Sequence, residues 1–144
     1  MSLVFAKIVL VGKFPTRKGI MLAGITLTTD NKALPMEKTD YEAVSKAVGG
    51  YIEHITLAGK FEGFAMYLNE EGKLNGLPMN KAATAIWEMC YGQTDVLVGD
   101  VVFLSNETDD EGNELPLTDE QVAKVNDLIG EAVQRYIHPS RSAR

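Results

Sequence analysis

A nearly continuous apolar run, DVLVGDVVFLS at residues 95–105, constrains the fold of this chain more than any other segment. A strand that keeps one face in water alternates apolar and polar residues, whereas this run is apolar on both faces. It therefore predicts a central strand of a sheet. The rest of the chain must supply the neighbouring strands and the helices that pack against that sheet.

Hydrophobic periodicity predicts four further strands and three helices. The strands are expected at residues 4–11, 20–29, 51–57 and 61–69, and the helices at 39–48, 81–91 and 119–137. The resulting order, β-β-α-β-β-α-β-α, predicts a single-domain α+β fold. Its sheet should be antiparallel or mixed, with about five strands and about three packed helices.

Capping signals mark the ends of the three predicted helices. N-terminal caps are expected from the Thr39–Glu42 and Thr118–Gln121 pairs, which fit a capping box, and from Asn80. Gly49 and Gly92 supply the stops of the first two helices. A turn is expected at residues 70–73, with Gly72 in a positive-φ conformation.

The 144 residues are expected to form one domain around one core, since 45% are hydrophobic and 24% are charged. A basic loop at residues 12–19 should close the first two strands into an N-terminal β-hairpin extension, residues 1–32. Residues 139–144 read as a frayed basic tail. With one cysteine, no signal peptide and no apolar run of about 20 residues, we expect a cytoplasmic protein without a membrane segment.

Charge is distributed unevenly along the chain. Residues 84–131 hold twelve acids and one lysine, a local charge of −11, whereas residues 1–18 carry +4. The net charge of −6 argues against direct nucleic-acid binding, because contacts to phosphates supply most of that affinity. Two interpretations of the acidic half stay open: a solvated surface, or a negative face for a basic partner.

Residues with catalytic chemistry do not form a recognisable set. His54 and its neighbour Glu53 should point to opposite faces of a strand, and Cys90 should be a buried, inert thiol. The glycines form no phosphate-binding loop. We therefore predict no catalytic residue, no cofactor and no metal. Trp87 and Met89 fit core packing, with an exposed partner-binding patch as the alternative.

The segment NEEGKLNGLPMN at residues 69–80 is the most distinctive motif. With the preceding GGYIE strand it resembles a family of uncharacterised domains found in bacteriophages, mobile elements and some bacteria. The chain matches that family's pattern at Gly49, Gly50, Ile52, Glu53, the 70–73 turn, Gly76-Leu77-Pro78, Asn80, Ala83-Thr84 and Gly99-Asp100. The similarity covers about residues 44–125 and leaves the first 40 residues as an addition. It implies a phage or mobile-element origin and no reaction.

The Gly-Leu-Pro-x-Asn corner has two interpretations. It can be a rigid connection from strand to helix, in which proline fixes φ and asparagine caps the helix. Alternatively, Glu53, Lys73, Asn75 and Asn80 line a polar pocket at a helix N-terminus, where an anionic ligand would be favoured.

We expect a phage-encoded, non-enzymatic accessory protein that binds a host protein, for host takeover or against a defence system. The first alternative is a protein that binds or sequesters a small ligand such as a nucleotide signal, and the second is a hydrolase with an unfamiliar site. Expected partner anchors are Phe14, Tyr91 and Tyr136, each at the edge of an element. The protein would act in the host cytoplasm, and homo-oligomerisation stays open.

Overall fold

A computed structural model of the 144-residue chain describes residues 9–10, 23–108, 110–112 and 115–137. Over this part the chain forms six strands and three helices. The strands are β1 (Val9–Leu10), β2 (Gly24–Leu27), β3 (Lys32–Met36), β4 (Ile52–Thr56), β5 (Phe64–Asn69) and β6 (Val101–Ser105). The helices are α1 (Tyr41–Val48), α2 (Lys81–Tyr91) and α3 (Asp119–Ile137), and a short 3₁₀ turn spans Gly59–Phe61.

All six strands join one sheet in the order β1-β3-β2-β6-β5-β4. The short β1 pairs with β3 in parallel, and every other pair of neighbours is antiparallel. Strand β6 lies between β2 and β5, as its apolar sequence predicts. The predicted α+β class, with a mixed sheet and three packed helices, is confirmed.

The two faces of the sheet are covered by different helices. On one face Val44 and Val48 of α1 pack with Val102 and Leu104 of β6. On the other face α2 and α3 enclose the larger core cluster, which contains Phe103. Successive β6 side chains thus enter opposite cores, which explains why this strand is apolar from Val101 to Leu104.

The predicted strand at residues 95–105 is too long, because β6 comprises only Val101–Ser105. Gly99 has a φ of 79°, which interrupts the extended run. Before it, Val98 forms an isolated antiparallel bridge with Met79. Residues 95–98 therefore form a separate segment beside the sheet, and this segment contributes to the site described below.

The predicted hairpin of residues 1–32 is not found among the described pairings. Strand β1 lies beside β3, and β2 forms its hairpin with β3 through a tight turn in which Thr28 N donates to the Lys32 carbonyl at 2.9 Å. Strand β3, for which no strand was predicted, contains Pro35. The pairing register directs the nitrogen of Pro35 away from β2, so the missing N–H removes no bond of the β2–β3 ladder.

Two of the three predicted helix caps are correct in position. The α1 helix is capped by Asp40 and not by Thr39, since the Asp40 carboxylate accepts from Ala43 N at 2.9 Å. At α3, Thr118 and Gln121 form the predicted reciprocal box: Gln121 N donates to Thr118 Oγ1 at 3.0 Å, and Thr118 N donates to Gln121 Oε1 at 2.9 Å. The third predicted cap, Asn80 at the start of α2, is described with the candidate site below.

The turn before α2 uses its glycines differently from the prediction. Positive φ occurs at Gly76, with a value of 70°, and not at Gly72. Position 72 requires glycine for a different reason, because its neighbours leave no room for a side chain. A Cβ atom there would lie 2.9 Å from Val98 Cγ2 and 3.3 Å from the Asn69 carbonyl oxygen. The turn is consequently pressed against residues 95–98.

Candidate functional site

A cleft of about 540 Å³ lies on the α2 face of the sheet, beside the edge strand β4. Its walls come from β4, the end of β5, the turn at residues 70–74, the C-terminal half of α2 and residues 95–98. We refer to it as the β4 cleft. Its volume falls in the range of sites that enclose a small molecule or a few side chains of a partner.

Exposed apolar side chains are concentrated in this cleft. Six large hydrophobic residues are exposed in the described part of the chain, and three of them line the cleft: Leu74 at 86%, Val96 at 43% and Tyr91 at 40%. Tyr51, at 65%, directly precedes β4. Clustered exposed apolar surface marks interaction sites more often than scattered single residues do.

Two aromatic rings form the α2 wall of the cleft. Trp87 and Tyr91 are one helical turn apart, and their ring centroids are 4.6 Å apart. The Trp87 indole donates to Thr94 Oγ1 at 2.9 Å, and the Tyr91 hydroxyl donates to the Thr56 carbonyl at the edge of the sheet. Both rings are held before any partner arrives, so little side-chain entropy remains to be lost on binding.

The charged groups of the cleft give it a net negative character. Lys73 forms an ion pair with Asp95, and this contact holds the pKa of the Asp95 carboxyl below its ordinary value. Glu53 and Glu70 also line the cleft, and neither forms an ion pair with another described residue. Lys73, the only lysine among the described residues that line the cleft, is thus already paired, while two carboxylates are available to a cationic partner.

The structure brings together only two of the four predicted ligand-binding residues. Glu53 and Lys73 face the same cleft. Asn75 is exposed in the turn between β5 and α2, and its backbone N–H donates to the Glu71 carbonyl at 2.9 Å. Asn80 is completely buried. The predicted polar pocket at the start of α2 is therefore not formed by this set.

Asn80 instead joins three parts of the fold. Its side-chain oxygen accepts from Ala83 N at 2.9 Å, which is the predicted cap of α2. Its side-chain nitrogen donates to the Leu27 carbonyl at 3.0 Å and to the Gly99 carbonyl at 2.8 Å. Since both ends of the amide are engaged with protein groups, the geometry supports the structural interpretation of the Gly-Leu-Pro-x-Asn corner.

Neither of the other two candidate groups lies in a catalytic arrangement. His54 is exposed on β4, with its ring centroid 4.9 Å from that of Tyr67. Cys90 is half-buried, and its thiol donates to the Ala58 carbonyl at 3.3 Å. Burial raises the pKa of this thiol, which disfavours the nucleophilic thiolate. Across the described segments, no group of three or more histidine, cysteine or acidic side chains could hold a metal ion.

A second cavity, of about 560 Å³, lies on the α1 face beside His54 and Tyr67. It has one carboxylate, that of Asp40, which is committed to capping α1. Its other walls come from neutral polar side chains, Gly112, His54 and the two tyrosines Tyr41 and Tyr67. This cavity offers fewer exposed apolar groups than the β4 cleft does.

Of the three predicted partner anchors, only Tyr91 can be placed in a site, and it lies in the β4 cleft. Phe14 lies outside the described residues, as does the side chain of Tyr136. The sequence interpretation missed Leu74 and Val96. A lone leucine inside the polar run EEGKLNG was the available signal for the first, whereas Val96 was assigned to the sheet.

A known family model matches most of the chain. The family model described as "Domain of unknown function (DUF3846)" matches residues 24–130, from β2 into α3. This range begins well before the expected limit of residue 44, so β2 and β3 lie inside the matched region. No curated protein and no solved structure matches the chain. None of the described helices is long and apolar enough to cross a membrane.

Proposed function

We propose that this chain, which belongs to the DUF3846 family of domains of unknown function, binds a host protein through the β4 cleft. In this proposal it is a phage-encoded accessory protein that acts by binding and not by catalysis. The phage origin rests on the resemblance of the NEEGKLNGLPMN segment to phage and mobile-element domains. The binding mode rests on the cleft.

The observation that carries the proposal is the grouping of exposed apolar side chains around fixed aromatic rings. Leu74, Val96 and Tyr91 surround one concave surface, and the Trp87 ring lies tilted against that of Tyr91. Binding energy at protein interfaces concentrates in a few aromatic and aliphatic anchors that enter desolvated pockets. A cleft with such residues already held in place is suited to receive a partner's side chains.

Charge supports a basic partner. The cleft contains Glu53 and Glu70 without ion-pair partners, and residues 84–131 carry a local charge of −11. Long-range charge acts mainly on the rate of encounter, and salt screens it beyond about 10 Å at 0.1 M. We therefore expect added salt to slow association much more than it speeds dissociation. An alanine in place of Tyr91 should have the opposite effect.

A small ligand is the second candidate, and the cleft volume of about 540 Å³ is the observation that favours it. The charge of the cleft favours a neutral or cationic molecule over a nucleotide, because Lys73 is already paired with Asp95. For the hydrolase alternative, we find no supporting arrangement among the described residues.

Native mass spectrometry after incubation with an extract of host cells separates these proposals. We expect the wild-type chain to retain a protein, and Leu74→Glu to lose it because the most exposed apolar side chain of the cleft is replaced by a charged one. Leu115→Glu is the matched control, since Leu115 is an exposed leucine that does not line the cleft. Retention of a small molecule would favour the second candidate. Retention of nothing, or equal retention of a protein by Leu74→Glu, would contradict the proposed function.

A further inference from the structure

We infer that the partner binds as an extended, basic segment that adds to the free edge of β4 as a new strand. This inference rests on the proposed function and specifies how the partner is held. The β4 cleft would receive the side chains of the added strand, and the backbone of β4 would hold its main chain. Such strand addition is a recurring mode of peptide recognition.

The first argument is the direction of the β4 backbone groups. Among the described strands, β4 is the last one of the sheet and pairs only with β5. Tyr51 O accepts from Glu70 N at 2.8 Å, and Leu57 N donates to Phe64 O at 3.1 Å, so odd-numbered residues face β5. Along a strand of an antiparallel pair, the backbone N–H and C=O groups of successive residues point alternately toward the partner strand and away from it. The N–H and C=O groups of Ile52, His54 and Thr56 therefore point away from the sheet.

One of these outward groups already has a partner. The Thr56 carbonyl accepts from the Tyr91 hydroxyl, which limits the free edge at this end. The N–H and C=O groups of Ile52 and His54 and the N–H of Thr56 remain, and no described strand pairs with them. Together they form a short edge next to the mouth of the cleft.

The opposite edge of the sheet carries features that prevent the addition of a further strand. There β3 carries Lys32 and Pro35, and the two residues of β1 cover part of it. Proline, lysine and very short edge strands are common means of preventing edge pairing. Strand β4 contains neither proline nor lysine, and its register with β5 runs from Ile52 to Thr56 without a bulge. In the part of the chain that the structure describes, the two edges of the sheet thus differ, and the β4 edge is the open one.

The chemistry of the segment follows from the side chains beside this edge. Glu53 and Ile55 point to the α2 face and line the cleft. A strand added at the usual spacing of about 4.8 Å would direct every second side chain toward them. A cationic side chain fits beside Glu53, and an apolar one fits beside Ile55 and the ring of Tyr91. We therefore specify a segment in which basic and apolar residues alternate on one face.

Hydrogen exchange measured by NMR tests this geometry with a defined probe. The probe is the acetylated and amidated peptide Thr-Val-Thr-Lys-Thr-Val-Thr-Lys-Thr, and its counterpart with glutamate in place of lysine is the control. In the free protein the amides of Ile52 and His54 should exchange rapidly and those of Glu53 and Ile55 slowly. At about 1 mM of the lysine peptide we expect exchange at Ile52 and His54 to slow at least about tenfold. The glutamate peptide should leave it unchanged.

Substitution at His54 gives a second, independent readout. His54→Pro removes an outward N–H and no bond of the β4–β5 ladder, a position where a strand tolerates proline. His54→Ala removes the side chain but keeps the N–H, so it is the matched control. We expect the Kd for the lysine peptide to be at least about tenfold higher for His54→Pro than for His54→Ala. If His54→Pro does not fold, the exchange measurement on the wild-type chain decides.

The outcomes separate this inference from the proposed function. Protection of Ile52 and His54 by the lysine peptide supports the inference, and so does weaker binding by a folded His54→Pro variant. Binding without such protection, equal binding of the glutamate peptide, or no binding at 1 mM would overturn it. Protection that depends on protein concentration, without any peptide, would identify a second copy of the chain as the occupant and also overturn it. If the wild-type chain still captures a host protein in any of these cases, the proposed function stands and only the strand addition falls.

Discussion

Replacement of Asn80 by alanine should destabilise the fold by far more than the loss of a helix cap. The side chain is fully buried and forms three hydrogen bonds, to Ala83 N, to the Leu27 carbonyl and to the Gly99 carbonyl. A cap alone is worth about 1 kcal/mol. Three buried hydrogen bonds at about 1 kcal/mol each give an expected loss of about 3 kcal/mol.

Two further variants separate the cap from the links to the strands. Asn80→Asp keeps an acceptor for Ala83 N, and aspartate caps helices as well as asparagine does. It would however place a carboxylate oxygen against the Leu27 and Gly99 carbonyls, where the amide nitrogen now donates at 3.0 and 2.8 Å. We expect it to be at least as destabilising as Asn80→Ala. Asp40→Ala, at the exposed cap of α1, should cost only about 1 kcal/mol.

Unfolding in urea, followed by the fluorescence of the single tryptophan Trp87, measures these differences. With a slope of about 2 kcal/mol per molar urea, a loss of 3 kcal/mol lowers the midpoint by about 1.5 M. Asp40→Ala should lower it by about 0.5 M. If Asn80→Asp unfolds at the wild-type midpoint, or Asn80→Ala shifts it no further than Asp40→Ala, then Asn80 is a cap only and the reasoning is refuted.

Three other predictions follow from single contacts. Gly72→Ala should cost about 1–3 kcal/mol, because the added Cβ would meet Val98 at 2.9 Å, and an unchanged urea midpoint would refute this. Lys73→Met should raise the pKa of Asp95 toward its ordinary value in an NMR titration. Because the pKa of this carboxyl is lowered in the folded chain, the ion pair stabilises the fold above about pH 3.8, and this stabilisation disappears as the pH falls through the lowered pKa. The pair is exposed, so the stabilisation should stay below about 1 kcal/mol. Burial raises the pKa of the Cys90 thiol, so a disulfide reagent at pH 8 should label the folded chain at least about tenfold more slowly than the urea-unfolded chain, and equal rates would contradict the burial.

The sequence predicts those parts of the fold that depend on local signals. The apolar run around Phe103 correctly indicates a central strand, and the spacing of Thr118 and Gln121 correctly indicates a capping box. Asn80 is recognisable as a cap because the Ala-rich helix begins directly after it. In each case the residues that determine the structure lie within a few positions of one another.

Features that depend on distant residues were not predictable from local patterns. Strand β3 was not predicted from the sequence; it contains Pro35, and its pairing with β1 and β2 in the sheet makes it a strand. The requirement for glycine at position 72 depends on Val98, which is far along the chain. The β4 cleft joins Glu53, Lys73 and Tyr91 from three separate segments. Sequence periodicity contains no information about which of these segments meet.

Site-specific photocrosslinking tests most directly the central claim that the β4 cleft binds a protein. A photoreactive benzoylphenylalanine is introduced in place of Leu74, which lines the cleft and is 86% exposed, or in place of Leu115, which lies outside it. Each variant is irradiated in cells that carry the gene. We predict that the position 74 variant forms a covalent adduct with one host protein, and that the position 115 variant does not. No adduct at position 74, or the same adducts at both positions, would contradict the account.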